Sequence, residues 1–259
     1  MPAEAFHVKG KKILLLNPDK PYGREAARGL LSEGAELWLC AGEPGALAAA
    51  GEELGIGAER RYPYTPGTEE AAGRLAAWAE ANMGAPDAVV VVNPGSRLET
   101  WTPEFDELNA SLFSAQTGLM LTVKRLGLLL AKAGRGSVLF LTDYGALVGY
   151  DPWNYEDDPA LFARDFVLDR GFIAGSYVNY ARQAAGFLGE HGVRCNALAF
   201  GPLPEPGHPG FGEAVVRHSH LKRLLSAEDI KNAVCFMVSD ASRFITGVTL
   251  PVDGGYTAK

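Results

Sequence analysis

Ala88-Val-Val-Val-Val-Asn93 is the stretch on which the fold turns. Four consecutive valines, with no polar residue alternating between them, suit a strand covered on both faces, as the strands of parallel sheets are. Upstream, Ile13–Asn17 is a second short apolar run and reads as the first buried strand. Gly23–Glu33 has helical spacing, with Ala26, Ala27, Leu30 and Leu31 on one side, and Glu36–Cys40 reads as another strand. Thr68–Asn82 is an Ala-rich helix with Thr68 as its cap and Glu69 and Glu70 in the first turn. Downstream come a long helical stretch, Glu104–Lys132, a strand over Ser137–Thr142, a helix over Gly171–Glu190 and a strand over Val193–Ala199. A helix over Ala227–Val238 and a strand over Val248–Val252 close the series. The alternation predicts an α/β chain: a doubly wound parallel sheet between two helical layers, three layers in all, with right-handed crossovers. The 259 residues fit one domain, 1–259. The Pro- and Gly-rich stretches Phe200–Gly212 and Gly149–Pro159 read as local insertions.

Charge and cysteine content narrow the function classes. A formal net charge of -7 argues against a nucleic-acid binder, which is normally basic. Cys40, Cys195 and Cys235 are odd in number and far apart, which suits a reducing compartment. Met1 to Lys12 has no apolar signal-peptide core, and no apolar run is long enough to span a bilayer, so the expected location is the cytoplasm and no membrane partner is expected.

The C-terminal quarter carries a succession of motifs. Ser226-Ala-Glu-Asp-Ile230 opens a helix with a capping serine and acidic residues. Phe236-Met-Val-Ser-Asp-Ala241, Phe244-Ile-Thr-Gly247 and Val252-Asp-Gly-Gly255 follow. Gly192-Val-Arg-Cys-Asn-Ala197 with Phe200-Gly-Pro202, and Asn93-Pro-Gly95, complete the pattern. Together they resemble the short-chain dehydrogenase/reductase family from Lys11 to Tyr256, and Arg182 to Pro202 resembles its enoyl reductase branch. The resemblance implies a Rossmann-like fold, a nicotinamide dinucleotide, and a Ser, Tyr, Lys catalytic set.

The residues at those sites depart from the family. Its Thr-Gly-x-x-x-Gly-x-Gly turn, whose glycines let backbone N–H groups approach a pyrophosphate, aligns with Leu16-Asn17-Pro18-Asp19-Lys20-Pro21-Tyr22-Gly23. Only Gly23 is retained, with close helix–strand packing as its expected role. Pro18 and Pro21 have no N–H, and Asp19 adds negative charge. Where the family places a ribose-binding carboxylate at the end of its second strand, Ala41 and Gly42 stand. Lys20 and Arg24 read as solvated loop charges.

The family's tyrosine acts as acid/base with its pKa lowered by a lysine four residues on. No lysine occurs between Lys132 and Lys222, so that motif is absent. Counting back from Asn196 places Arg170 and Ala174 at the two positions; a shift of two residues gives Phe172 and Ser176. Thr142 is the residual candidate at the serine position. Tyr155, thirteen residues on, falls in a stretch read as an insertion, Gly149–Asp169, and is expected to be an interface or loop aromatic. His208, His218 and His220 lie near Arg217, Lys222 and Arg223; a solvated helix face is the favoured reading over a metal site or a CoA-phosphate contact.

These departures lead to an expectation: a short-chain dehydrogenase fold with no catalytic residues, cofactor or metal of its own. It would pair with a homologous active subunit that carries the NAD, in a hetero-oligomer such as a tetramer. The resemblance here is to the inactive subunits of heteromeric dehydrogenases such as those acting on (hydroxybenzyl)succinyl-CoA. It implies contacts through helices 104–132 and 171–190, with small residues including Ala110, Ala115, Gly118, Gly127, Ala174, Gly175, Ala181, Ala184 and Ala185 at the contact. The alternatives are an active, atypical NAD(P)-dependent oxidoreductase, and a ligand-sensing module that uses the vacated cleft.

Overall fold

The computed structural model describes residues 3–156 and 158–258; Met1, Pro2, Asp157 and Lys259 lie outside the described residues. Seven strands pair in parallel: β1 (Lys12–Leu16), β2 (Glu36–Ala41), β3 (Arg61–Pro63), β4 (Ala88–Val92), β5 (Gly136–Asp143), β6 (Val193–Phe200) and β7 (Thr249–Val252). Their order is β3-β2-β1-β4-β5-β6-β7. The valines of β4 are all buried, because helices cover both sides of the sheet. On one side lie α1 (Pro21–Ser32), whose Ala26, Ala27 and Leu30 face inward, α2 (Pro44–Glu53) and, near the C-terminus, the helix Ala227–Val238. The other side carries α3 (Glu69–Met83), the paired helices α4 (Phe105–Leu112) and α5 (Gly118–Ala133), and a twenty-residue helix, Arg170–Gly189. Chain order reverses between β1 and β4, and the carboxyl ends of those strands border the crevice where doubly wound folds seat ligands.

Local signals explain most boundaries. Pro21 starts α1 with its fixed φ, Thr68 caps α3 by accepting from Ala71 N–H, and Ser226 and Asp229 form a reciprocal cap at the start of Ala227–Val238. Four elements, β3, α2, and two later helices, escape sequence reading. The strand β3 has only three residues, too few for a period, and α2 is built of Ala and Gly with no strong apolar stripe. The stretch read as an insertion holds α6 (Pro159–Asp165), which is followed by α7 (Arg170–Gly189). The stretch read as a loop to Gly212 enters α8 at Pro209, and α8 runs to His218; α9 is Ala227–Val238. Between α4 and α5 one wider turn, Phe113–Thr117, follows i→i+5 spacing, so the long helical stretch is continuous but bulged.

Of the small residues expected at a subunit contact, Ala110 is exposed and Gly175 partly so, but most face inward. Ala181 is 0% exposed, and Ala115, Ala174, Ala184 and Ala185 are buried in the chain's own core. Gly118 packs on Pro66, and Gly127 on Leu188. A small side chain is needed there because the helices lie close to their own neighbours. The outward faces of the same helices carry large apolar groups: Phe105 (77% exposed), Phe113, Met120 and Leu128 on α4 and α5, Phe172 (64%) and Phe187 (55%) on α7. Among the described residues no helix is long and apolar enough to cross a membrane.

Candidate functional site

The turn after β1 keeps its shape by other means than glycine. Asn17 takes a left-handed conformation, φ 61°, a region asparagine tolerates better than most residues. Its side-chain amide donates to Val92 O at 2.7 Å and so ties the turn to the end of β4. Gly23 is required by space: a Cβ there would collide with the Asn17 carbonyl and lie 3.1 Å from Val92 Cγ2. The donors, however, are spent. Pro18 and Pro21 have no N–H, and Lys20 N–H donates to Asn17 O at 3.2 Å. Lys20 and Arg24 keep solvent-exposed side chains, each beside a carboxylate: Lys20 and Asp19 at 3.1 Å, Arg24 and Glu53 at 3.8 Å. At the end of β2, Ala41 is buried, and Gly42 and Glu43 border a hollow of about 360 Å³. Glu43, two residues past β2 at the rim of this hollow, escaped the sequence reading. The turn offers a pyrophosphate fewer backbone donors than a glycine turn does, because Pro18 and Pro21 carry no N–H, and Asp19 adds a negative charge to the loop.

A second hollow, of about 600 Å³, lies at the carboxyl ends of β4 and β5, and Thr142, Asp143, Tyr155 and Arg170 border it. Thr142 is fully buried; its hydroxyl accepts from Asn93 Nδ2 (3.2 Å) and donates to Ala174 O (3.4 Å). Arg170, in the first turn of α7, faces the same space, with Ala174 one turn behind it, whereas Phe172 points outward. The register that sets Arg170 and Ala174 at the family's Tyr and Lys positions is therefore the one that meets the crevice.

Arg170 is held in a network. It donates to the Asp165 carbonyl (3.2 Å), pairs with the Asp165 carboxylate (3.1 Å), approaches Asp143 (3.8 Å), and its guanidinium lies 4.6 Å from the Tyr150 ring centre. Tyr150 donates to Asp143 at 2.8 Å, and Arg164 joins Asp165 (2.8 Å) to Glu205 (2.7 Å). Burial pushes the pKa values of Tyr144, Tyr150 and Tyr155 up, and the Asp143 charge adds to the rise at Tyr150 while Arg170 opposes it too weakly to reverse it. Burial also raises the Asp143 carboxyl, again against Arg170. Each phenol here holds its proton, the opposite of what a tyrosine acid/base near neutral pH requires.

Tyr155 is neither an interface nor a loop aromatic. It is buried, with its ring 5.0 Å from Phe211 and its hydroxyl 3.4 Å from Asp165. The segment 149–169 thus folds onto the chain from β6 to α8. His208 pairs with Asp158, and His218 Nδ1 lies 3.2 Å from Asn154 Oδ1, while Asn154 donates to Tyr256 at 2.8 Å. His208 and His218 consequently tie two segments together, whereas His220, Arg217, Lys222 and Arg223 are solvent-exposed, as expected. Among the described residues no group of three His, Cys, Asp or Glu side chains could hold a metal ion. Sequence reading missed Tyr22, Asp143, Tyr150, Arg164 and Asp165. Asp143 directly follows the candidate Thr142 and Tyr22 lies in the quoted turn Leu16–Gly23, but Tyr150, Arg164 and Asp165 belong to no short pattern.

Residues 174–257 match the family model described as Enoyl-(Acyl carrier protein) reductase. The chain is 27% identical to an uncharacterized oxidoreductase of Mycobacterium tuberculosis, with 98% of this chain and 93% of that protein covered. It is 26% identical to a galactitol 2-dehydrogenase (L-tagatose-forming) of Cereibacter sphaeroides, with 97% of each covered. In structure it is similar to a short chain dehydrogenase from Leptospira borgpetersenii with bound NAD+, at a TM-score of 0.82, 16% identity, and coverage of 99% of this chain and 96% of that one.

Proposed function

We propose, from the premise that this chain belongs to the short-chain dehydrogenase/reductase family, that it is an oxidoreductase subunit without hydride-transfer chemistry of its own. It works as the structural or regulatory partner of a homologous active subunit, which binds the NAD. A hydroxyacyl-CoA, as in the (hydroxybenzyl)succinyl-CoA dehydrogenases, is the substrate class this reading names for the complex. One observation carries it: Arg170, locked between Asp143 and Asp165, stands where an active member needs a proton-shuttling tyrosine. The altered turn at Asn17–Gly23 supports it independently, since prolines remove donors that a pyrophosphate would need. The outward aromatic faces of α4, α5 and α7 support a partner there, because exposed apolar patches of this kind mark protein contacts.

The test is co-purification of the tagged chain from its native source, with calorimetry and turnover on the chain alone and on the complex. The reading expects a second dehydrogenase-fold protein to come with it, and micromolar NAD binding only in the complex. Phe172→Asp with Phe187→Asp should release the partner while the isolated chain keeps its melting temperature. A second reading, an active atypical oxidoreductase, is favoured by a full-length relative named as a dehydrogenase. Turnover of an alcohol with NAD(P) by the chain alone would establish it in place of the first.

A further inference from the structure

Tyr22 makes the longest crossing in the crevice. Its hydroxyl donates to Gly201 O at 3.1 Å, and its ring centre lies 5.2 Å from that of Phe200. Tyr22 sits in the first turn of α1, just after β1, while Phe200 ends β6. Gly23, next to Tyr22, lies against Val92 at the end of β4, so the contact with Phe200 spans β5, the strand between β4 and β6. It passes over the carboxyl ends of β4 and β5, the place where a ligand of this fold class lies. The phenol borders the larger hollow together with Thr142 and Arg170. Burial first, and then the nearby Asp143 charge, push its pKa up, so it acts as a donor to the Gly201 carbonyl. That carbonyl is itself fixed: a Cβ on Gly201 would come within 3.0 Å of Asp253 Cα, so the segment is pressed against the 253–255 turn.

We propose that Tyr22 is an internal ligand. Its ring borders the crevice and meets Phe200 as a planar bound molecule would, and its hydroxyl anchors the segment from β6 to α8. The segment that follows, Pro202-Leu-Pro-Glu-Pro-Gly207, forms no helix or strand, so its order depends on contacts of this kind. The inference concerns the crevice of this chain alone and stands whether or not a partner subunit exists.

Hydrogen exchange on the full-length protein tests it, with the peptide covering 201–212 as the reporter and the peptide covering 226–238 as the control. Tyr22→Ala should speed exchange of the reporter at least tenfold and leave the control unchanged; Tyr22→Phe, which removes only the hydroxyl, should speed it severalfold. Millimolar phenol, the probe that replaces the lost ring, should slow the Tyr22→Ala reporter back toward the wild-type rate. If circular dichroism shows that Tyr22→Ala has not folded, Tyr22→Phe decides. Reporter exchange equal to wild type in the folded variants overturns the proposal, and so does a faster rate in Tyr22→Ala that saturating phenol leaves untouched.

Discussion

Residues 226–256 and residues 17–23 pack against the same sheet, yet they stand in opposite relations to the family pattern. The C-terminal stretch keeps its pattern because each piece is a folding instruction. Ser226 and Asp229 cap α9, and the Asp253 carboxylate accepts from Gly255 N–H and Thr257 N–H, both at 2.9 Å, to close the last turn. The turn after β1 keeps only what folding needs, a left-handed residue and a glycine at the point of closest approach, and gives up the donors that serve a ligand. The difference teaches that the pattern of a scaffold and the pattern of a site can part company within one chain.

The largest effect that sharpens this comparison is expected in the scaffold. Phe140 is fully buried on β5, between Tyr177 (5.6 Å) and Tyr180 (6.1 Å). Phe140→Ala should lower the unfolding free energy by about 3–5 kcal/mol in a urea titration. A loss below about 1 kcal/mol would mean that the core is not packed as described.

Arg170→Met comes next, in the rebuilt crevice. It leaves Asp143 without its cation, while Asp165 keeps Arg164, and one half-buried unpaired carboxylate should cost about 2–3 kcal/mol near pH 7. The sign with pH follows from Asp143, whose folded pKa is raised above the ordinary carboxylate value by burial. Protonation relieves the unpaired charge, so the deficit of the variant should shrink as pH falls through the raised carboxyl range. A deficit independent of pH between 4 and 8, measured by chemical denaturation, would break the electrostatic account.

A smaller effect is expected at Asp87, just before the central strand β4, at the end of the sheet opposite the crevice. Burial raises its carboxyl, but the Lys12 N–H and the Arg135 guanidinium together outweigh burial and hold it below the usual range. Its contribution is therefore present above the unfolded carboxylate pKa and lost as pH falls through the depressed value. Asp87→Asn should cost about 1 kcal/mol at pH 7 and less in acid, as followed by thermal melts. The smallest effect is chemical. Burial pushes the Cys195 thiol up to about 12 and Cys235 to about 11, and raises Cys40 further. Ellman's reagent at pH 8 should find no fast thiol in the native protein and three in urea. A fast-reacting thiol in the folded chain would contradict the packing around it.

How much was legible follows the same division. The valine run, the capping residues Thr68 and Ser226, and the spacing of Ala26, Ala27 and Leu30 are short-range signals that fix periods and boundaries, and they led to the sheet and its layers. Losses were legible too, since a missing lysine over residues 133–221 needs no coordinates. What replaced them was not. Asp143, Arg164, Asp165 and Arg170 come from three elements and acquire their roles only through ion pairs that the fold creates. The direction of a helix face was also misjudged: Ala181 and Ala185 suggested an outward contact by size alone, whereas close approach to the chain's own sheet is what selects alanine there.

Asn17 has a consequence for the direction in which such a chain can change. The backbone shape of the turn survives, and Asn17→Gly would preserve it, so the geometry is one substitution away from its glycine form. The donors are not one substitution away. Pro18 and Pro21 must both leave, Asp19 must lose its charge, and Tyr22 must release Gly201, and no single one of these steps recreates a dinucleotide turn. Asn17 thus holds the backbone path of a glycine turn inside a loop whose donor set departs from one at two prolines.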